Sequence, residues 1–142
     1  MFWDSSALIP CLISDRTSGK VIALFTDDPD VLIWWAAPVE CVSALERRRR
    51  EGRLSSPIYL EARRRLINMT EQSSTVEPHA SVRSRAERLL ATHPLRAADA
   101  LHLAAALLAC NERTVGASFV SFDSRLREAA EREGFLVLPE GV

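Results

Sequence analysis

Along the 142-residue chain, apolar residues fall in short runs separated by stretches of helical spacing. Phe2-Trp3 leads into Asp4 and reads as a first strand. Ser5 to Ile13 reads as a short helix disturbed at Pro10, and Ser18 to Phe25 as a second helix closed by Asp27-Asp28-Pro29. Val31 to Trp34 is a β-branched and aromatic run, the pattern of a buried strand. Pro38 opens a helix, a place where proline is tolerated, and that helix runs through Ala44-Leu45 into four arginines and stops near Gly52. Ser56-Pro57 starts another helix reaching about Met69; Glu71 to Thr75 is a polar linker, and Val76 belongs to a short edge strand ended by Pro78. Ser81 begins a helix ending near Thr92, and Pro94 starts an Ala- and Leu-rich helix through Leu108. Ser118 to Phe122 is strand-like, Ser124 to Glu133 is helical up to Gly134, and Phe135 to Leu138 is the last strand.

This alternation predicts an α/β fold, a parallel sheet with helices on both faces. The stretch from Ser56 to Thr92 is nearly strand-free, so a helical hairpin beside the sheet is expected over residues 56–92. Without repeats or low-complexity tracts, residues 1–142 are expected to form a single domain.

Composition adjusts this picture in several places. A hydrophobic fraction of 47% with 26% charged residues supplies a true core and argues against disorder. A net charge of -1 means that any nucleic-acid contact must come from local basic patches. Lys20 is the one lysine among the basic residues; the arginine bias suits bidentate phosphate contacts, although genome composition produces the same bias. Cys11, Cys41 and Cys110 show no CxxC spacing, which disfavours a cysteine zinc site and fits a reducing compartment. The N-terminus lacks a signal peptide's basic and apolar regions, and no apolar run approaches the roughly 20 residues of a membrane span, so a cytoplasmic protein is expected.

The candidate chemistry is acidic. In an open parallel sheet, ligands bind where strands end and helices begin. Asp4 ends the first strand, Glu40 sits in the first turn after the second, Asp99 lies early in the Ala-rich helix, and Asp123 follows the fourth strand. Four carboxylates meeting there would repel one another unless a cation neutralised them, and an all-oxygen set selects magnesium or manganese. Each has a simpler alternative. Asp4 and Asp123 are ordinary helix N-caps, and Glu40 suits a helix macrodipole. Asp99 stands in a helix apolar almost all round, where a buried carboxylate needs a partner; Arg96, three residues earlier, is the alternative to a metal. His102, on the same face, fits a core residue or a partner behind the ligands better than a ligand.

Met1-Phe-Trp-Asp-Ser-Ser-Ala-Leu8, Pro38-Val-Glu-Cys-Val-Ser-Ala-Leu45, Leu95-Arg-Ala-Ala-Asp-Ala-Leu-His-Leu-Ala104 and Ser121-Phe-Asp123 occur in this order. Together they resemble the PIN-domain ribonucleases, most of all the VapC-type toxins of bacterial toxin–antitoxin pairs, from Phe2 to about Val137. The resemblance implies a three-layer α/β/α fold with about five parallel strands. It implies that Asp4, Glu40, Asp99 and Asp123 are the acidic catalytic and metal-site residues, with Ser6 and Ser121 as the hydroxyl residues beside the first and last of them. It implies Mg2+ or Mn2+ as cofactor, RNA as substrate, a homodimer, and inhibition by a small cognate antitoxin. Ile9-Pro10 and Val115 to Val120 depart from the family pattern, which bears on the ends of the first helix and fourth strand.

The expected reaction is metal-assisted phosphodiester hydrolysis, in which a cation lowers the pKa of water and offsets charge on the phosphate. No Ser-His-Asp spacing or activated cysteine supports covalent catalysis. A receiver domain needs a late lysine, and a haloacid-dehalogenase-like phosphatase needs an Asp where Ser6 stands. A catalytically inactive PIN-like module binding RNA or protein is the better alternative. Of Arg47 to Arg50, flanked by Glu46 and Glu51, most are expected to be a solvated helix end, with one or two reaching phosphates. One of Trp34 and Trp35 is expected in the core and the other on the surface.

Overall fold

The computed structural model describes residues 1–141. Five strands, β1 (Phe2–Trp3), β2 (Leu32–Trp34), β3 (Ser74–Val76), β4 (Ser118–Val120) and β5 (Leu136–Leu138), form one sheet in the order β3-β2-β1-β4-β5. Every pairing is parallel. Seven helices surround it among the described residues: α1 (Ser5–Leu12), α2 (Ser18–Asp27), α3 (Ala37–Arg50), α4 (Ser56–Gln72), α5 (Ala80–Thr92), α6 (Ala97–Ala109) and α7 (Ser124–Arg132). The three-layer α/β/α arrangement read from the sequence is the one observed.

Alternation along β1 explains the layers. Successive strand residues point to opposite faces, so Phe2 joins the core formed with α5, α6 and α7, and Trp3 joins the core formed with α1 to α4. Phe2 stacks on Phe119, 5.3 Å between ring centroids, and Phe119 meets Phe135 at 5.6 Å. Trp34 is buried while Trp35 is exposed, which assigns the core member of that pair.

The helical hairpin expected over 56–92 is corrected. α4 contributes Ala62 and Leu66 to the Trp3 core and packs on α1 and α3. α5 contributes Val82, Ala86 and Leu89 to the Phe2 core and packs on α6. β3 separates them, and its side chains are too polar (Ser74, Thr75) to betray a full strand, because it is the sheet edge beside β2. Other differences are local. α6 begins at Ala97 rather than Pro94, with Arg96 still extended at φ -82°, ψ 161°. α1 carries Pro10 inside it; the proline has no N–H to offer, and the helix stops two residues later. The Pro10 carbonyl accepts a bond from Ser18 Oγ at 2.8 Å, which ties the start of α2 to the end of α1.

The chain runs outward from β1 to β2 and β3, then crosses to β4 on the other side of β1. Such a reversal opens a crevice at the carboxyl ends of the strands on either side of it. Asp4 follows β1 there, and Ser121 to Asp123 follow β4. Among the described residues no helix is long and apolar enough to cross a membrane.

Candidate active site

Asp4 is 3% exposed. Its N–H continues the ladder to the Val120 carbonyl at 3.1 Å, so the backbone fixes the side chain at the crevice floor. Oδ1 accepts from Ala7 N at 3.0 Å, the N-cap role anticipated from the sequence. Ser6 Oγ donates to the same carboxylate at 2.7 and 3.0 Å, and Ser121 Oγ donates to Oδ2 at 3.1 Å. The two serines are themselves tied down, because Phe122 N donates to Ser6 Oγ at 2.8 Å and Asp123 N to Ser121 Oγ at 3.1 Å. Burial pushes the Asp4 carboxyl above its ordinary range, against the charge of His102 and these donors, which favour the ionised form.

Glu40 projects from the first turn of α3. Ser5 Oγ donates to Oε2 at 2.8 Å, and His102 Nε2 donates to both oxygens at 3.0 and 3.1 Å. Burial would raise the Glu40 carboxyl, but the His102 bond and charge and the Ser5 bond hold it below the usual range. The partner shift agrees. Burial alone would lower His102, yet the Glu40 bond and the charges of Glu40, Asp4 and Asp99 hold it above its ordinary value. His102, 1% exposed on α6, thus stands behind Glu40 and holds it by hydrogen bonds, in the supporting position expected for it.

Asp99 differs from both. It is half-buried, and its one hydrogen bond is a long one, from Arg96 N at 3.4 Å. The Arg96 ion pair considered from the sequence does not form among the described residues; Arg96 is exposed. Burial and then the charge of Asp123 raise the Asp99 carboxyl, and Glu40 adds to this, while the Arg96 bond and His102 oppose it. Asp123 N-caps α7, Oδ1 accepting from Leu126 N at 2.9 Å. Arg127 locks the segment that carries it, donating to the carbonyls of Ser121 (2.7 Å), Leu138 (2.9 Å) and Pro139 (2.9 Å).

The structure therefore links Asp4 to Ser6 and Ser121, Glu40 to His102, and Asp99 to Asp123 by charge. It does not draw the set closed: among the described residues no three acidic, His or Cys side chains converge tightly enough to grip one ion. The donor chemistry nonetheless fits a hard divalent cation, since the groups are carboxylate oxygens and Asp99 is almost unpartnered. A cleft of about 660 Å³ opens beside Ser5, Ser6 and Glu40 and extends to Arg16, Arg47 and Arg48. Ser5 and Arg127 were not singled out in the sequence. Ser5 was readable only as a spare helix cap, and Arg127 as one more surface arginine.

Comparison with known proteins gives the same family. The family model for the PIN domain matches residues 1–132. Ribonuclease VapC45 and Ribonuclease VapC49, from two strains of Mycobacterium tuberculosis, are each 30% identical over 139 residues, covering 98% of this chain and 94% of the relative. Among solved structures, M. tuberculosis VapC20, described as a sarcin–ricin-loop-cleaving toxin, superposes with a TM-score of 0.66 at 19% identity, covering 95% of each chain. PAE2754 of Pyrobaculum aerophilum gives 0.65 at 16% identity, covering 96% of this chain and 87% of the other. The backbone agreement extends over the whole architecture, and the chain belongs to the PIN-domain family, among its VapC-type ribonucleases.

Proposed function

We propose that this chain is a magnesium- or manganese-dependent endoribonuclease, the toxin of a type II toxin–antitoxin pair. The observation that carries the metal-dependent reading is the state of Asp99. A half-buried carboxylate, pressed by Asp123 and Glu40 and given one long hydrogen bond, is a group kept for something outside the chain. Asp4, Glu40, Asp99 and Asp123 would hold the cation. When bound, it would supply an acidified water and neutralise charge on the phosphate. Ser6 and Ser121 orient Asp4, while Ser5 and His102 orient Glu40, so both carboxylates are set before any ligand arrives.

A small cognate antitoxin and a second copy of this chain complete the reading. Exposed Trp35, Val39 and Ile67 offer apolar surface for such partners. Free Cys11, Cys41 and Cys110 suit a reducing cytoplasm, and the single sheet joining both ends of the sequence supports one domain over 1–142.

The test is cleavage of total cellular RNA by purified protein with magnesium or manganese and with EDTA, alongside Asp99→Asn. Discrete metal-dependent cuts absent from the variant are expected. Equal cutting by both proteins would remove Asp99 from the centre. Thermal stabilisation by the metals without any cutting would favour an inactive RNA- or protein-binding module.

A further inference from the structure

The four arginines at the end of α3 are not equivalent. At about 100° per residue, Arg47 falls within about 20° of Glu40 on the helix surface, Arg48 lies about 80° round on the Ala44 side, and Arg49 faces the opposite way. The structure bears this geometry out. Arg49 pairs with Glu46 at 3.0 Å and sits over the Tyr59 ring at 5.0 Å. Arg47 and Arg48 instead line the same cleft as Ser5, Ser6 and Glu40, and Arg16, from the segment between α1 and α2, lines it as well. None of these three makes an ion pair among the described residues, unlike Arg49 of the same run; Arg50 is unpaired too but does not line the cleft.

Arg48 carries the decisive detail. Its Nη1 is buried and has no hydrogen-bond partner. Asp15, which lines the same cleft, feels its charge but is already engaged by Thr17 N at 2.7 Å and Thr17 Oγ1 at 2.6 Å, and no Arg48–Asp15 ion pair forms among the described residues. A half-buried guanidinium on the cleft wall, with no ion-pair partner in the chain, leaves its charge for whatever enters the cleft. A guanidinium fork matches phosphate oxygens in particular. Arg47 and Arg48 stand about 11 Å along the α3 axis from Glu40, at 1.5 Å per residue. A strand cut at the carboxylates and running up this face would bring a neighbouring phosphate to them.

We infer that Arg47 and Arg48, with Arg16 beside them in the cleft, form a subsite for a backbone phosphate of the RNA strand, set along α3 from Glu40. The inference rests on the ribonuclease reading, but its test does not need cleavage. A labelled single-stranded RNA oligomer is titrated with the full chain in EDTA at several salt concentrations, and binding is read by fluorescence anisotropy. R48Q and R47Q should each weaken binding about tenfold and reduce the salt slope by about 0.7, whereas R50Q should change neither. Arg47 is exposed, so R47Q tests the subsite even if R48Q fails to fold. Equal losses in R47Q and R50Q would mean a diffuse field and overturn the subsite, as would unchanged slopes or no binding by the unsubstituted chain. Cleavage that persists with unchanged RNA binding in R47Q and R48Q would sink the subsite and leave the nuclease intact. The expected binding pattern without any metal-dependent cleavage would do the reverse.

Discussion

The carboxylate that follows β1 and the carboxylate that opens the α6 helix are both raised above their ordinary range by burial, yet they are treated in opposite ways. Asp4 is enclosed by donors from Ser6, Ala7 and Ser121, each of which belongs to the architecture. Asp99 is left with one bond of 3.4 Å and two acidic neighbours. A group satisfied by the protein stabilises the fold, while a group left in want of partners spends stability on function. In the proposed reading Asp4 does both tasks, while Asp99 leans to the second, its structural share being the one long capping bond to Arg96 N.

Substitution should separate the two. Asp99→Asn is expected to lower RNA cleavage at least a hundredfold, on the order of what removing one transition-state-stabilising group costs, while melting at or slightly above the parent temperature in metal-free buffer. A fall in both activity and melting temperature would erase the contrast. Asp4→Asn should lose activity and also about 1–3 kcal/mol of stability, because the amide's N–H groups meet donors where the carboxylate accepted; denaturant titration measures this.

The pH dependence sharpens the same contrast. The fold raises Asp99 above its ordinary 3.8, so in EDTA the native state binds that proton more tightly than the unfolded chain does. Its contribution is therefore favourable at low pH and is lost as pH rises through the elevated value. The melting-temperature advantage of Asp99→Asn should be largest near neutrality and shrink as pH falls toward 3.8; an advantage that grows on acidification would reverse the assignment. The smallest effect is expected at Ser5→Ala, which removes one of the hydrogen bonds on Glu40. A loss of about 0.5–1.5 kcal/mol together with a raised metal requirement would mark Ser5 as an orienting group, and the same loss with an unshifted requirement as a merely structural one, visible by comparing melts and metal titrations.

Much of this was legible beforehand, and what was missed has physical causes. Asp99 stood out because an acid in an almost wholly apolar helix contradicts its surroundings, and Asp4 and Asp123 because they close strands. Ser5 and Ser6 look alike in sequence, yet one turns to Glu40 and the other to Asp4, since adjacent helix positions point in different directions. Arg127 acts on three carbonyls supplied by the β4–α7 connection, the end of β5 and the residue after it, a convergence that no local pattern announces. The hairpin error came from β3, where an edge strand of three residues leaves little periodicity to count.

The central strand is two residues long, and its neighbours pair with it from positions 32–33 and 119–120. Asp4 receives its Ser121 bond, and Ser6 its Phe122 bond, across 117 and 116 residues of chain. Synthesis runs from the N-terminus at roughly 5–20 residues per second, so a growing polypeptide carries Asp4 and Glu40 long before Ser121 and His102, which brace them from later in the chain, exist. The candidate site is thus incomplete in any copy not yet translated past Asp123. A protein made in the midst of RNA would, in the proposed reading, acquire its centre late in synthesis rather than early.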